Sequence, residues 1–269
     1  MVAAPISPLT RVRRSPVTAV GLYLLIVGGI VWAAYTGAQS MGYNWQWYRI
    51  PKYFYTLTED GFQWGEIMVG LVKTLQLSAT AFALAVAIGL IVALLRLSGL
   101  LVGRAVAIGF LEFIRNIPIL VLLYLFYYVL GPIFGLNRYT ASILCLGVFH
   151  GALISEILRA GIAAVPLGQW EASKSIGMTT GQAYRYIVLP QSIRFMLPPM
   201  TGEIVHLVKS SAIVSVIAVA ELTTIGRNII SDTYMSFEIW FTIAAVYMVV
   251  TLALSIGVSF VEKKYTVKQ

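Results

Sequence analysis

Six stretches as long as a bilayer is thick decide what this chain can fold into. Val17 to Thr36, Ile67 to Leu95, Ala105 to Leu130, Thr140 to Ala164, Pro198 to Ala220 and Phe237 to Val261 are mostly apolar throughout. A helix needs about 20 such residues to cross the hydrocarbon core. Composition agrees: with 59% hydrophobic and only 11% charged residues, and a mean hydropathy of +0.84, a soluble fold would carry more apolar area than it could hide. The runs are apolar on all sides, unlike the alternating, roughly 10-residue strands of a barrel. The expected fold is an all-α integral membrane protein with about six transmembrane helices.

The basic leader Arg11, Arg13 and Arg14 and the small residues Thr36-Gly37-Ala38 have the outline of a cleaved signal peptide. The apolar run between them exceeds the roughly 7 to 15 residues of such a peptide, which favours a retained anchor helix. Cys145, the single cysteine, lies within a span and has no internal disulfide partner.

The net charge of +8 would suit nucleic acid if the charges were clustered. With the N-terminus inside, Arg11, Arg13, Arg14, Arg96, Arg104, Lys174, Arg185, Arg194, Lys263, Lys264 and Lys268 fall on the cytoplasmic side, and only Arg49, Lys52, Arg138 and Arg227 outside. That is the positive-inside bias. It places both termini in the cytoplasm of a multi-pass protein and gives no reason to expect a nucleic-acid partner. Residues 43 to 55, YNWQWYRIPKYFY, are rich in Tyr and Trp, as expected of a segment at the lipid headgroups.

The same topology puts residues 165–195 on the cytoplasmic face between the fourth and fifth spans. After Pro166 a short helix is expected to run through about Thr179. Gly177 then permits a sharp turn or a close backbone approach, and Pro190 starts the next segment. Any polar hairpin between two spans would need some turn and some charge. The spacing says more: Glu171-Ala172-Ser173, three residues, Gly177, nine residues, Ile187, one residue, Leu189-Pro190. This resembles the EAA loop of ABC importer permeases, E-A-A-x3-G-x9-I-x-L-P, with Ser173 for the second alanine.

The resemblance runs from about Val69 to the C-terminus and is strongest to the polar amino acid branch, the histidine, glutamine, arginine and glutamate/aspartate permeases. The stretch from Gly70 to Ser78, which contains Thr74, resembles its G-L-x-x-T-L-x-L-S opening. Glu112 to Pro118, with Arg115 between, resembles E-x-x-R-G/N-x-P. Ser155-Glu156 through Arg159 to Ile162 is similar to S-E-x-x-R-x-G-I, and Leu207 to Ile213, with Lys209, to L-x-K-D/N-S/T-S/A-L/I. Ser210 stands where that last motif has an acid or amide. Asn116 and Pro198-Pro199-Met200-Thr201 lean toward the glutamate/aspartate relatives.

The resemblance implies a five-helix permease core over residues 66–269, with a coupling helix in the loop at 165–195. Residues 1–65 add a cytoplasmic tail, an extra transmembrane helix and the aromatic external segment. It further implies a second permease subunit, identical or a sister, two cytoplasmic ATPase subunits, a solute-binding protein outside, an amino-acid substrate and a bacterial cytoplasmic (inner) membrane. Glu171, Ala172, Ser173, Gly177, Ile187, Leu189 and Pro190 would then couple to the ATPase.

A charge inside a span costs a few kcal/mol unless it is paired or faces water. Glu112 with Arg115, and Glu156 with Arg159, stand three apart and can neutralise each other on one helix face. Pro118 predicts a kink. Glu156 and Ser155 are candidates for the substrate path, and Arg159 for a gate or packing partner. Glu203, His206 and Ser210 form one stripe at i, i+3 and i+7, with Lys209 beside it. Measured from Pro198, His206 lies about 12 Å and Ser210 about 18 Å along the helix. The stripe faces a cavity or another subunit. Glu156 with Lys209 or His206 would suit a zwitterion, and hydrogen bonding between two permease subunits is the alternative. His150, alone on an apolar span, reads as a satisfied interior residue.

No G-x4-G-K-S/T occurs, so ATP and its Mg are expected in the partner and the chain is not expected to be an enzyme. Neither a Cys/His cluster with metal-ligand spacing nor a nucleophile triad appears, so no metal or bound cofactor is expected. The buried Glu156, His206 and Lys209 also suggest a different class, an ion- or proton-coupled secondary carrier. A membrane receptor would need more than the tail EKKYTVKQ.

Overall fold

A computed structural model describes residues 16–59 and 61–265 of the chain, with side chains as far as residue 260. Arg11, Arg13, Arg14 and Lys268, which enter the charge argument, lie outside the described residues, as do the side chains of Lys263 and Lys264. The chain divides into two units, Met1–Gln46 and Trp47–Gln269. The first contributes helix α1, Pro16–Ser40, followed by Tyr43 edge-on to Trp45 at 5.1 Å. The boundary falls at 46/47 rather than 65/66. The reason is packing: Tyr53 is buried with Ile67, Leu222, Ile229, Met235, Ile239 and Ile243, so the second half of the aromatic segment belongs to the larger unit.

That unit opens with a 3-10 turn, Trp47–Tyr53, and an antiparallel hairpin of β1 (Tyr55–Thr58) and β2 (Gly61–Trp64), in which Tyr55 pairs with Trp64. Helix α2 (Glu66–Leu97) then packs along α6 (Arg138–Ala163). Their axes approach where side chains are absent. A Cβ at Gly147 would meet Leu84 at 2.6 Å, one at Gly151 would meet Ile88 at 2.9 Å, and one at Gly89 would meet Ile154 at 2.6 Å. Glycines four apart on one face are how membrane helices gain van der Waals contact when lipid removes the hydrophobic drive to associate.

These pairs also fix direction. Going along α2, Leu84, Ile88, Gly89 and Arg96 meet Gly147, Gly151, Ile154 and Glu156 in turn, so the two helices are parallel. Parallel spans require the segment between them to traverse the membrane in the opposite sense. That segment is α3 (Leu101–Asn116), then α4 (Ile119–Tyr124), a π-helical stretch (Leu125–Leu130) and α5 (Gly131–Phe134). It is bent by 105° at Ile117-Pro118. The expected span from Ala105 to Leu130, kinked at Pro118, is thus a broken one. Ile117 is extended (φ −100°, ψ 128°), the backbone that a following proline enforces.

The fifth span also differs from expectation. It is a continuous 38-residue helical run, Thr180–Ile217, composed of α8 (Thr180–Ala183), a π stretch (Tyr184–Val188), α9 (Leu189–Ser210) and a 3-10 end (Ser211–Ile217). Pro190 stands in the first turn of α9, as expected, but α9 is itself the inner part of this longer run. Pro190 has no N–H, and the helix answers with a wider register just ahead, the Leu189 N–H bonding to the Tyr184 carbonyl. The other π stretch stands just ahead of Pro132. Helix α10 (Leu222–Thr233) follows, its first N–H groups received by the Glu221 carboxylate (2.8 Å from Thr223 and from Thr224). Helix α11 (Ser236–Tyr265) ends the chain as described.

Candidate functional site

The loop between α6 and α8 is built around one short helix, α7 (Leu167–Ser175). It stops at Ser175, short of the expected Thr179, because Gly177 takes a left-handed turn (φ +77°) and Thr179 caps the next helix. The Thr179 hydroxyl accepts from the Gln182 N–H at 3.3 Å, and Gln182 Oε1 accepts from the Thr179 N–H at 2.8 Å. The Thr179-x-x-Gln182 pattern was readable as a capping box and marks the start of a helix. A Cβ at Gly177 would meet nothing within 4 Å, so the glycine serves the turn and not a close approach.

One face of α7 is anchored. Ser173 is buried and donates to the Trp170 carbonyl at 2.7 Å, Trp170 packs edge-on to Tyr184 at 4.8 Å, and Gln191 donates to Gln169 at 3.1 Å. The buried residues beneath are Ile162, Val165, Val188 and Met196. The other face is open: Leu167 and Ile176 are exposed, with Glu171, Ala172 and Lys174 beside them. Of the remaining motif residues, Ile187 is half-buried while Leu189 and Pro190 are exposed.

Near the loop end of α6, Glu156 is held by two arginines. One is the expected Arg159, at 3.0 Å; the other is Arg96, from the end of α2. With both carboxylate oxygens engaged, Glu156 makes no contact with His206 or Lys209, so the expected zwitterion clamp is not assembled. Ser155 is fully buried and donates to the Ala152 carbonyl. Thr74 is likewise committed to the fold: its hydroxyl donates to the Gly70 carbonyl and receives the Leu222 N–H, each at 3.0 Å. The expected Glu112–Arg115 pair is not formed either. Asn116, one residue further on and near Pro118, donates to the Glu112 carboxylate at 3.2 Å and to its carbonyl at 2.7 Å, and Arg115 is exposed.

A separation of 53 residues between His150 and Glu203 splits the other polar cluster into two parts that sequence spacing cannot join. His150 is the thirteenth of the 26 residues of α6, hence at mid-span, and it is fully buried. Its Nδ1 lies 2.5 Å from the Glu203 carboxylate on α9, and His206 Nδ1 lies 3.6 Å from the other oxygen of that carboxylate. The two imidazoles meet edge-on at 5.2 Å. His150 is therefore satisfied on one side only; its Nε2 is buried without a partner. The stripe of Glu203, His206 and Ser210 is present, with Glu203 buried, His206 and Lys209 exposed and Ser210 half-buried. The depth of His206 follows from its neighbour His150 and not from Pro198, since the helix begins well before that proline. Side chains that no metal-ligand spacing in the sequence links, those of His150, Glu203 and His206, bring three ligating atoms within 4.8 Å of one another.

Residues 85–267 match the family described as binding-protein-dependent transport system inner membrane component. The chain belongs to this family. It is 37% identical to the probable glutamine ABC transporter permease protein GlnM of Bacillus subtilis, over 73% of this chain and 92% of that protein. It is 29% identical to the glutamate/aspartate import permease protein GltJ of Escherichia coli K12, over 84% of this chain and 96% of that one. That share exceeds the whole of residues 66–269, so this likeness extends ahead of Glu66. Among solved structures, an amino acid ABC transporter crystallised with histidines matches with a TM-score of 0.70 at 41% identity, covering 74% of this chain and 94% of that one. An inward-facing MetNI methionine transporter, at 20% identity and a TM-score of 0.66, shares the fold. Permease helices on this scale make the protein a multi-pass component of an inner membrane.

Proposed function

We propose that this chain is the membrane-spanning subunit of an ATP-driven ABC importer for polar amino acids. It pairs with an identical or sister permease, receives substrate from an external solute-binding protein, and is driven by two cytoplasmic ATPase subunits that hold the ATP and Mg. Both termini and the loop at 165–195 face the cytoplasm of a bacterial cell. Permeases named for glutamine and for glutamate/aspartate among the relatives support a polar amino acid as the cargo. Membership of a binding-protein-dependent family leaves the ion-coupled carrier without support.

The observation that carries the reading is the anchorage of α7. A nine-residue helix fixed by its inner face to the base of a 38-residue helix, with Leu167, Glu171, Lys174 and Ile176 turned outward, is a lever. Movement of a partner seated on its outer face passes into the span through Trp170 and Tyr184. Alternating access then follows as the long helix moves against α6.

The test uses the assembled importer in proteoliposomes. Gly177→Val places a β-branched residue in a left-handed turn, and Glu171→Lys reverses charge on the outer face. Both are expected to abolish uptake while ATP hydrolysis continues and the complex stays folded. Uptake at the parental rate in both variants overturns the coupling role.

A further inference from the structure

The cluster at mid-span is more than a hydrogen-bonded pair. A buried His150 could be held by one carboxylate oxygen alone, yet α9 brings a second imidazole, His206, to the other oxygen of Glu203. All three donors converge, within 4.8 Å of one another. Ligands on a tetrahedral zinc ion stand about 3.3 Å apart, so the set needs His150 and Glu203 to part slightly and the remaining atoms to draw together. Side-chain rotation supplies movements of that size. Glu203 and His206, at i and i+3, share a face of α9, while His150 comes from α6, so the site straddles two spans.

We propose that His150 Nδ1, the Glu203 carboxylate and His206 Nδ1 form a binding site for a divalent transition metal of the zinc class. The donor set decides the class: two imidazoles and a carboxylate suit zinc and its neighbours, whereas Mg2+ and Ca2+ take oxygen ligands. Three protein ligands leave a fourth position, and the half-exposed side of His206 is where it opens. The electrostatics are compatible with the depth. Glu203 supplies one negative charge against the two positive charges of the ion, and a hydroxide at the open position would supply the other. The orphaned Nε2 of His150 means that the only polar contact of this ring is toward Glu203. Because the ligands come from α6 and α9, a bound ion ties those helices together and restrains their relative motion.

The inference stands on these side chains and not on the transport reading, and its test measures binding, not uptake. The tag-free complex, stripped with chelator, is titrated with Zn2+ against a zinc-sensitive dye, and separately with Co2+, whose visible absorption reports tetrahedral nitrogen and oxygen ligation. One Zn2+ per permease chain is expected. His206→Ala, at a half-exposed position where folding is not at stake, is expected to weaken binding by more than about tenfold and to change the Co2+ spectrum. Glu203→Gln should do likewise. The absence of Zn2+ binding by the parental complex, or the same affinity and spectrum in His206→Ala, overturns the site. If the His206 variant loses binding while transport persists, the metal site stands and is separate from the substrate route.

Discussion

Glu156 illustrates what one carboxylate can and cannot do inside a span. Its two oxygens face two guanidiniums, from Arg96 and Arg159, so a charge that would be costly alone becomes part of a triad joining the ends of α2 and α6. The side chains are a fifth to two-fifths exposed, which puts the coupling below that of a fully buried pair. A double-mutant cycle on Arg96→Gln and Glu156→Gln is expected to give a coupling energy of about 0.5 to 2 kcal/mol in detergent unfolding. A coupling indistinguishable from zero would mean that the pair is ornamental. Only half of this triad was legible in the sequence. Arg159 stands one turn from Glu156, whereas Arg96 is sixty residues away and is brought in by the parallel packing of α2 on α6. The same limit hid the contact between His150 and Glu203, because local spacing records neighbours on one helix and says nothing of which helices touch.

Elements add constraints of their own. Helix α6 approaches α2 through Gly147 and Gly151, where a larger side chain must displace Leu84 or Ile88. Gly151→Val is therefore expected to lower stability by about 1 to 3 kcal/mol, the cost of overpacking, seen as a lower unfolding midpoint. Gly109→Ala, where a Cβ would meet nothing within 4 Å, should be neutral or slightly stabilising. At the loop, Trp170→Ala removes an aromatic contact worth about 0.5 to 1.5 kcal/mol and frees the lever from its base. Amino acid taken up per ATP hydrolysed should fall, with Trp170→Phe restoring most of it; an unchanged ratio in Trp170→Ala would show that force enters elsewhere. Apolar length was enough to locate most of these helices in advance. It failed at two prolines for one reason: Pro118 and Pro190 both lack an N–H, but the surroundings turn the first into a 105° break and absorb the second in a π register. Composition does not distinguish the two outcomes.

At the scale of the whole molecule, direction becomes countable. The parallel course of α2 and α6 obliges the bent segment between them to cross, so the unit from Trp47 onward passes through the membrane five times: α2, the bent segment, α6, the Thr180–Ile217 run and α11. Helix α1 is long and apolar enough for a sixth crossing. Within that unit, the three crossings of α2, the bent segment and α6 put α7 on the side of the membrane opposite Glu66. The arithmetic is testable with one thiol, since Cys145 is the only cysteine and is buried. In a Cys145→Ala background, Ser175→Cys should react with a membrane-impermeant maleimide in inside-out vesicles and stay unlabelled in intact cells. Asp232→Cys, on α10 after the Thr180–Ile217 crossing, should show the reverse. Labelling of both from the same side would break the count, and with it the proposed cytoplasmic placement of α7.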